Sequence, residues 1–209
     1  MNFFRIAAAF AALLLCGCAA SMAYRADYVP EEPIADSDRV TGRVLIYTTR
    51  TDDDRLITAG DTSFTGAGVK LTTPVGIMVR EIALKVFSKV ASDGADESDD
   101  FTNPGRYTIV LRPQIANFEY GFAHPKLGIE ITPQVRVTLR ITLLDGTGRV
   151  MLEKDYDSGV VSGSRHMISG KLVERTNKLA HEAMYDLMRR AAADVHVYQQ
   201  TQAAAATAN

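Results

Sequence analysis

One odd-numbered apolar series constrains this chain more than any other feature: Leu127, Ile129, Ile131, Val135, Val137, Leu139, Ile141 and Leu143. Glu130, Thr132, Gln134, Arg136, Thr138, Arg140 and Thr142 sit between them. Side chains on a strand alternate between its faces, so this is a long strand with one buried and one wet face. Pro133 interrupts its hydrogen bonding and marks a kink or an edge. Upstream, Tyr107, Ile109, Leu111, Pro113 and Ile115 hold odd positions, whereas Phe118, Tyr120 and Phe122 hold even ones. A phase flip in a period-2 pattern needs an extra residue, which places a β-bulge or bend between Pro113 and Asn117. Downstream, Asp145-Gly146-Thr147-Gly148 is a hairpin turn leading into a strand from Arg149 to Val161, with Val150, Leu152, Tyr156 and Val160 on one face. Two successive hairpins make an antiparallel three-stranded meander. A strand of about 17 residues exceeds the usual length, so its distal part, paired with Phe118 to Phe122, projects as an arm.

The rest of the chain supplies a further strand and two helices. Val44-Leu45-Ile46-Tyr47 is a short apolar run of the buried-strand kind. Thr73-Pro74 reads as a helix start, with Thr as N-cap and Pro at the first helical position. Val75, Val79, Ile82, Val86 and Val90 then recur at helical spacing, ending near Ser92. The last helix is amphipathic. Leu172, Thr176, Leu179, Ala183, Leu187, Ala191 and Val195 line one side, and charged residues such as Glu174, Arg175, Lys178 and Glu182 the other. Thr51 to Arg55, Asp93 to Asp100 and Ser162 to Gly170 read as loops. The expected fold class is α+β: an antiparallel sheet, made of the three-stranded meander plus an N-terminal strand, with two helices packed on one face.

The N-terminus fixes a compartment. Residues 1–17 have the parts of an export signal: Arg5 as the charge, Ile6 to Leu15 as the apolar core, and small residues before the cut. The run is too short to span a membrane, which takes about 20 apolar residues. Leu15-Cys16-Gly17-Cys18 resembles a lipobox, with Leu at the third position before the cut, Gly just before it and Cys18 as the acylated residue. An ordinary secretory signal is the alternative. Ala19 after Cys18, in place of Asp, resembles the enterobacterial pattern for sorting to the outer membrane. Residues 18–39 carry Pro30, Pro33, Glu31 and Glu32 and read as a flexible tether. Residues 40–198 then form a single periplasmic domain, and residues 199–209 a disordered Ala/Thr/Gln tail.

Of the 209 residues, 46% are hydrophobic and 23% charged, and the net charge is −2, or −3 once Arg5 leaves with the signal. A chain this size buries a sufficient core without disulfides or metals. Its weak acidity argues against a nucleic-acid partner. Cys16 leaves with the signal and lipid consumes Cys18, so no thiol remains for a disulfide, a metal or a nucleophile.

No catalytic, cofactor-binding or metal-binding constellation stands out. Asp52, Asp53 and Asp54 are adjacent, but consecutive carboxylates do not converge on one ion. His181-Glu182 begins like a zinc-protease helix, yet Tyr185 stands where the second His belongs, leaving a surface pair. Gly170-Lys171 lacks the remaining features of a phosphate-binding loop. Ser162, Ser164 and His166 lie close in sequence without the framing of a nucleophile elbow. One surface is a candidate. Phe118, Tyr120 and Phe122 share a strand face opposite Leu127, Ile129 and Ile131. They form either ordinary core or an exposed patch that docks a partner or the membrane.

With the lipobox at Leu15 to Cys18 and the order of elements from Val44 to Val195, the chain resembles a loose group of envelope lipoproteins. The group includes YajG-type lipoproteins and the auxiliary outer-membrane lipoproteins of ABC-type transport systems. The resemblance implies a compact α+β domain and an accessory role without catalysis, and it carries over one site residue, the lipidated Cys18. The expected function is a non-enzymatic adaptor or scaffold, anchored in the outer membrane with its domain in the periplasm. Its expected partners are the membrane, through the lipidated N-terminus, and an envelope protein or further copies of itself. The alternative is a lipoprotein that binds lipid or another hydrophobic ligand between sheet and helices.

Overall fold

The computed structural model describes residues 20–35, 39–60, 70–101, 104–123, 130–145, 147–167 and 171–207. The main sheet is organised around strand β2 (Val44–Tyr47), whose residues Val44, Leu45 and Ile46 are all buried. Successive residues face opposite sides, so both faces of β2 are covered and the strand is internal. It pairs in parallel with β5 (Ala95–Ser98) on one side and with β6 (Ile109–Ala123) on the other.

Strand β6 pairs antiparallel with β7 (Glu130–Leu144), the strand of the long alternating series. The register slips between Ile115 and Asn117, leaving Ala116 unpaired where the phase flip placed a bulge. Before the slip odd-numbered side chains of β6 enter the core; after it Phe118 does. The other edge of β7 is covered piecewise by β8 (Val150–Asp157), β9 (Val161–Ser162) and β10 (His166–Met167). On the solvent face, Arg140 grips Asp155 at 2.8 Å, Arg136 grips Asp157, and Thr142 donates to Glu153. A second, three-stranded sheet runs in the order β1 (Ala20–Ser21), β4 (Lys70–Thr73), β3 (Ile57–Gly60), with β1 parallel and β3 antiparallel to β4.

The helices are α1 (Arg50–Asp53), α2 (Val75–Val90) and α3 (Leu172–Thr207). Of the aspartate run expected as a loop, Asp52 and Asp53 lie in α1 and Asp54 is its C-cap, and Thr49 and Asp52 form a capping box at its start. Asp52 also accepts from Arg112 at 2.9 Å and Gln114 at 2.7 Å, which ties α1 to β6. Helix α2 starts one residue later than expected, with Pro74 as its cap, because Thr73 ends β4. Gly76 in its first turn meets α1 closely. A Cβ there would lie 1.9 Å from the Asp52 carbonyl oxygen. Helix α3 continues through the segment expected as a disordered tail, and its residues 201–207 are exposed. Phe87, Leu111, Leu139, Tyr185 and Met188 fill the space between the sheet and helices α2 and α3.

The expected antiparallel sheet, a three-stranded meander plus an N-terminal strand carrying two helices, is therefore corrected to a mixed sheet accompanied by a second sheet and a third helix. The physical reason lies in β2 and β5. The connection between them contains α2, a crossover that parallel pairing requires. Strand β5 is Ala-Asp-Glu-Ser, without apolar alternation, inside the acidic stretch that reads as an exposed loop. It is held instead by its ladder to β2 and by Asp96, which accepts from Arg43, Arg106 and Tyr107. These bonds lower the Asp96 pKa to about 2, the Arg43 hydrogen bond most of all.

The segment expected as a tether is docked along its described part. Met22 is 1% exposed, and Val29 is buried in the same core as the helices. Isolated apolar residues among prolines and charges carry no periodicity, yet each finds a hole in the domain surface.

Candidate functional site

The N-terminal segment crosses helix α3, with a 3-10 turn at Ala26–Tyr28, and hydrogen bonds to its main chain hold it in place. The Met22 N–H donates to the Thr72 carbonyl at 2.9 Å, continuing the β1–β4 ladder. Asn177 donates its side-chain amide to the Ala23 carbonyl at 2.9 Å, and Lys85 from α2 reaches the Ala26 and Val29 carbonyls. The centre of this clamp is His181, at 0% exposure. Its Nε2 accepts the Arg25 N–H at 3.0 Å, and Nδ1 lies 2.8 Å from the Asn177 carbonyl. A main-chain N–H can only donate and a carbonyl can only accept, so the ring is neutral with its proton on Nδ1. Tyr24 stacks on it at 5.6 Å and Tyr28 meets it edge-on at the same distance. Burial lowers the His181 pKa, outweighing the opposing pull of the Asn177 carbonyl and the Asp27 carboxylate. The expected surface pair is thus split. His181 is a buried packing and hydrogen-bonding residue, and Glu182 lies half-exposed beside Lys178.

The β6–β7 arm is partly covered. Phe118 is 4% exposed and belongs to the core. Tyr120 and Phe122 are half-buried, with rings 6.0 Å apart and edge to face. The Tyr120 hydroxyl accepts the Leu71 N–H at 3.4 Å, so the second sheet lies over this part of the arm. Of the three, Phe118 lies in the core and Tyr120 and Phe122 at its margin. Leu127 and Ile129 lie outside the described residues, as does Cys18. Two large apolar side chains flank the arm's distal end in the open: Val160, 63% exposed, and Met167, 58% exposed, opposite Glu130.

At the same end a cleft of about 440 Å³ opens between the β9 turn and the first turns of α3. Ser162 and Ser164 form one wall, Arg175, Lys178 and Glu182 the other, and Pro133 of β7 the floor. The Ser162 hydroxyl accepts from Gln134 at 3.1 Å, and both serines are exposed. The side chain of His166 lies outside the described residues. Lys178 reaches Glu182 only at 3.9 Å, and Arg175 has no acidic partner among the described residues. The cleft is thus polar, with cationic groups that are loosely held.

A second cleft, of about 470 Å³, gathers Asp53, Asp54, Glu97 and Asp99 around Arg80. Arg80 bonds Asp53 at 2.6 Å and Glu81 at 2.7 Å and lies 3.3 Å from Glu97, so much of its charge is spent internally. Among the described residues no group of three His, Cys, Asp or Glu side chains stands where it could hold a metal ion. No described helix is long and apolar enough to cross a membrane.

The residues that sequence reasoning missed are those of the clamp: Met22, Arg25 and Asn177, with His181 in a structural role. The apolar spacing of α3 held a partial signal. Asn177 and His181 lie one turn apart on the same helix, a pair of polar residues able to reach one neighbour.

No protein-family model matches the chain, and no curated protein does. Solved structures similar to it include a neuraminyllactose-binding hemagglutinin homolog from Helicobacter pylori, with a TM-score of 0.47 and 9% identity, covering 81% of this chain and 96% of that one. A lipoprotein from Caulobacter crescentus CB15 is similar at a TM-score of 0.42 and 11% identity, over 80% of this chain and 93% of its own. Lipoprotein B from Nitrosomonas europaea is similar at 0.43 and 12%, over 81% and 92%.

Proposed function

We propose that this protein is a lipid-anchored, non-catalytic envelope protein acting as an adaptor or scaffold for a transport or assembly machine. The observation that carries the reading is the order Leu15-Cys16-Gly17-Cys18 behind an apolar export signal, two residues before the chain joins the domain at Ala20. Cys18 is the acylated residue, and Ala19 after it favours the outer membrane, with the domain in the periplasm. The interior favours a scaffold over a carrier of hydrophobic ligands. The space between sheet and helices is filled by Phe87, Leu139, Tyr185 and Met188. His181, the histidine that most resembled a site residue, has both ring nitrogens engaged by the main chain. The partner is another envelope protein or a second copy of this chain.

Membrane fractionation of a Cys18→Ser variant tests the anchor. The variant leaves the membrane fraction if the reading holds; unchanged fractionation sinks it. Cross-linking in cells tests the role: a discrete envelope partner or a defined oligomer supports a scaffold, and a monomer with no partner opposes it.

A further inference from the structure

The direction of the strands sets the side from which the chain enters the domain at Ala20. The Arg55 guanidinium hydrogen-bonds the Ile115 carbonyl, just before β3 begins. At the far end of β3, Ala59 is paired with Leu71, whose N–H reaches the Tyr120 hydroxyl. Strand β3 therefore advances along β6 from the level of Ile115 to that of Tyr120, toward the tip of the arm. Strand β4 runs antiparallel to β3, and β1 runs parallel to β4. The chain thus travels away from the arm's distal end as it passes from Ala20 to Ser21, so it enters the domain from that side. One residue, Ala19, separates Ala20 from Cys18. At about 3.8 Å per Cα step, the acylated residue is within about 8 Å of the Ala20 backbone. A docked segment leaves no slack for a tether.

The chemistry of that end fits a lipid surface. Half-buried Tyr120 and Phe122 reach the tip, and Val160 and Met167 stand exposed beside it. Arg175 and Lys178 flank the same end, with Glu182 on their wall and Glu130 opposite Met167, because their cleft is floored by Pro133, the β7 partner of Phe122. Aromatic and apolar side chains bordered by long cations are the composition that settles at the boundary between acyl chains and headgroups. The acidic segment from Asp93 to Asp100 belongs to the other half of the sheet, alongside the first residues of β6, where it faces away from anionic lipid.

We propose that the domain is seated on the bilayer by the described distal ends of β6 and β7, with Phe122 and Met167 at the headgroup boundary and Arg175 and Lys178 taking anionic headgroups. The proposal rests on the acylation of Cys18 and adds to it a fixed orientation and a lipid class.

The chain has no tryptophan, which makes single-tryptophan reporters direct. Met167→Trp and, as the control, Val150→Trp would be made in the full-length lipidated protein; Val150 is 54% exposed and lies at the opposite end of β7, beside Leu144. Each is bound to phosphatidylcholine vesicles, with or without phosphatidylglycerol, that carry quenchers at headgroup depth. Quenching of Met167→Trp but not of Val150→Trp is expected, stronger by at least about twofold with the anionic lipid. Arg175→Gln with Lys178→Gln removes that enhancement. Acylated, vesicle-bound protein with an unquenched Met167→Trp overturns the seating and leaves the anchor intact. Protein without acyl chains on Cys18 overturns the anchor reading, and the seating with it. Equal quenching on both lipids removes the anionic headgroup from the proposal.

Discussion

Arg25 donates its main-chain N–H to Nε2 of His181 at 3.0 Å, joining two positions 156 residues apart. A proton on Nε2 would turn this acceptor into a donor facing a donor, between Tyr24 and Tyr28 and close to Asp27. The His181 pKa is lowered in the folded protein, chiefly by burial, while the unfolded chain takes up its proton near 6.5. Below that pH the unfolded state binds more protons than the folded one, so stability is lost as pH falls through 6.5. The urea midpoint is expected to drop between neutral pH and about pH 5, and His181→Gln to flatten the drop. The carboxylates with lowered pKa values, such as Asp96, act only at more acidic pH, below their ordinary 3.8. An identical slope in the variant would assign the effect to another group.

Met22 distinguishes a docked segment from a free one. Replacing a fully buried Met by Ala costs about 2–5 kcal/mol, from lost burial and the cavity left behind. Met22→Ala is therefore expected to lower the denaturation midpoint as a core substitution does. A value near zero in chemical denaturation would return this segment to the role of tether.

Phe118 and Phe122 are expected to behave differently although they share a strand face. Phe118→Ser empties a core site and adds a hydroxyl, at a cost of about 3–5 kcal/mol. Phe122→Ser, at the margin, should cost about 1 kcal/mol or less. Calorimetry of both variants checks the pair; equal losses would place Phe122 in the core as well.

Gly76→Ala inverts the usual propensity rule. Within a helix Ala is favoured over Gly by about 1 kcal/mol. Here the new Cβ would lie 1.9 Å from the Asp52 carbonyl oxygen, so α1 must move away from α2. A net loss of about 1–3 kcal/mol is expected. Because Asp52 also holds Arg112 and Gln114, a crystal structure of the variant should show those bonds lengthened.

The long alternation of β7 and the phase flip in β6 were legible because period-2 patterns report which side of a sheet is dry. The slip at Ala116 fell where that logic put it. What was not legible was pairing that leaves no trace in the pattern. Strand β5 is polar at every position but Ala95 and exists because Asp96 meets Arg43, Arg106 and Tyr107, distant in sequence or across a turn. The parallel register of β2 with β5 and β6 follows from the crossover through α2, and a run of four apolar residues cannot declare it. The clamp was hidden for a related reason. His181 sits on the apolar side of α3 only because Tyr24 and Tyr28 arrive from the other end of the chain to cover it. The candidate site was legible only in part: the aromatic run was visible, but not the cleft beside it, whose walls come from β9 and α3.

The clamp between Arg25 and His181 also imposes an order of events. The first segment of the domain to be synthesised is satisfied by the last helix. Until α3 has emerged, Asn177 and His181 are not there to receive the Ala23 carbonyl and the Arg25 N–H. Met22, Tyr24 and Val29 must wait, unburied, while the intervening residues are delivered. Contacts of such sequence separation are slow to form, and the exposed apolar groups are open to other strands and surfaces meanwhile. The last contacts to form would then be those that join the N-terminal segment to α3.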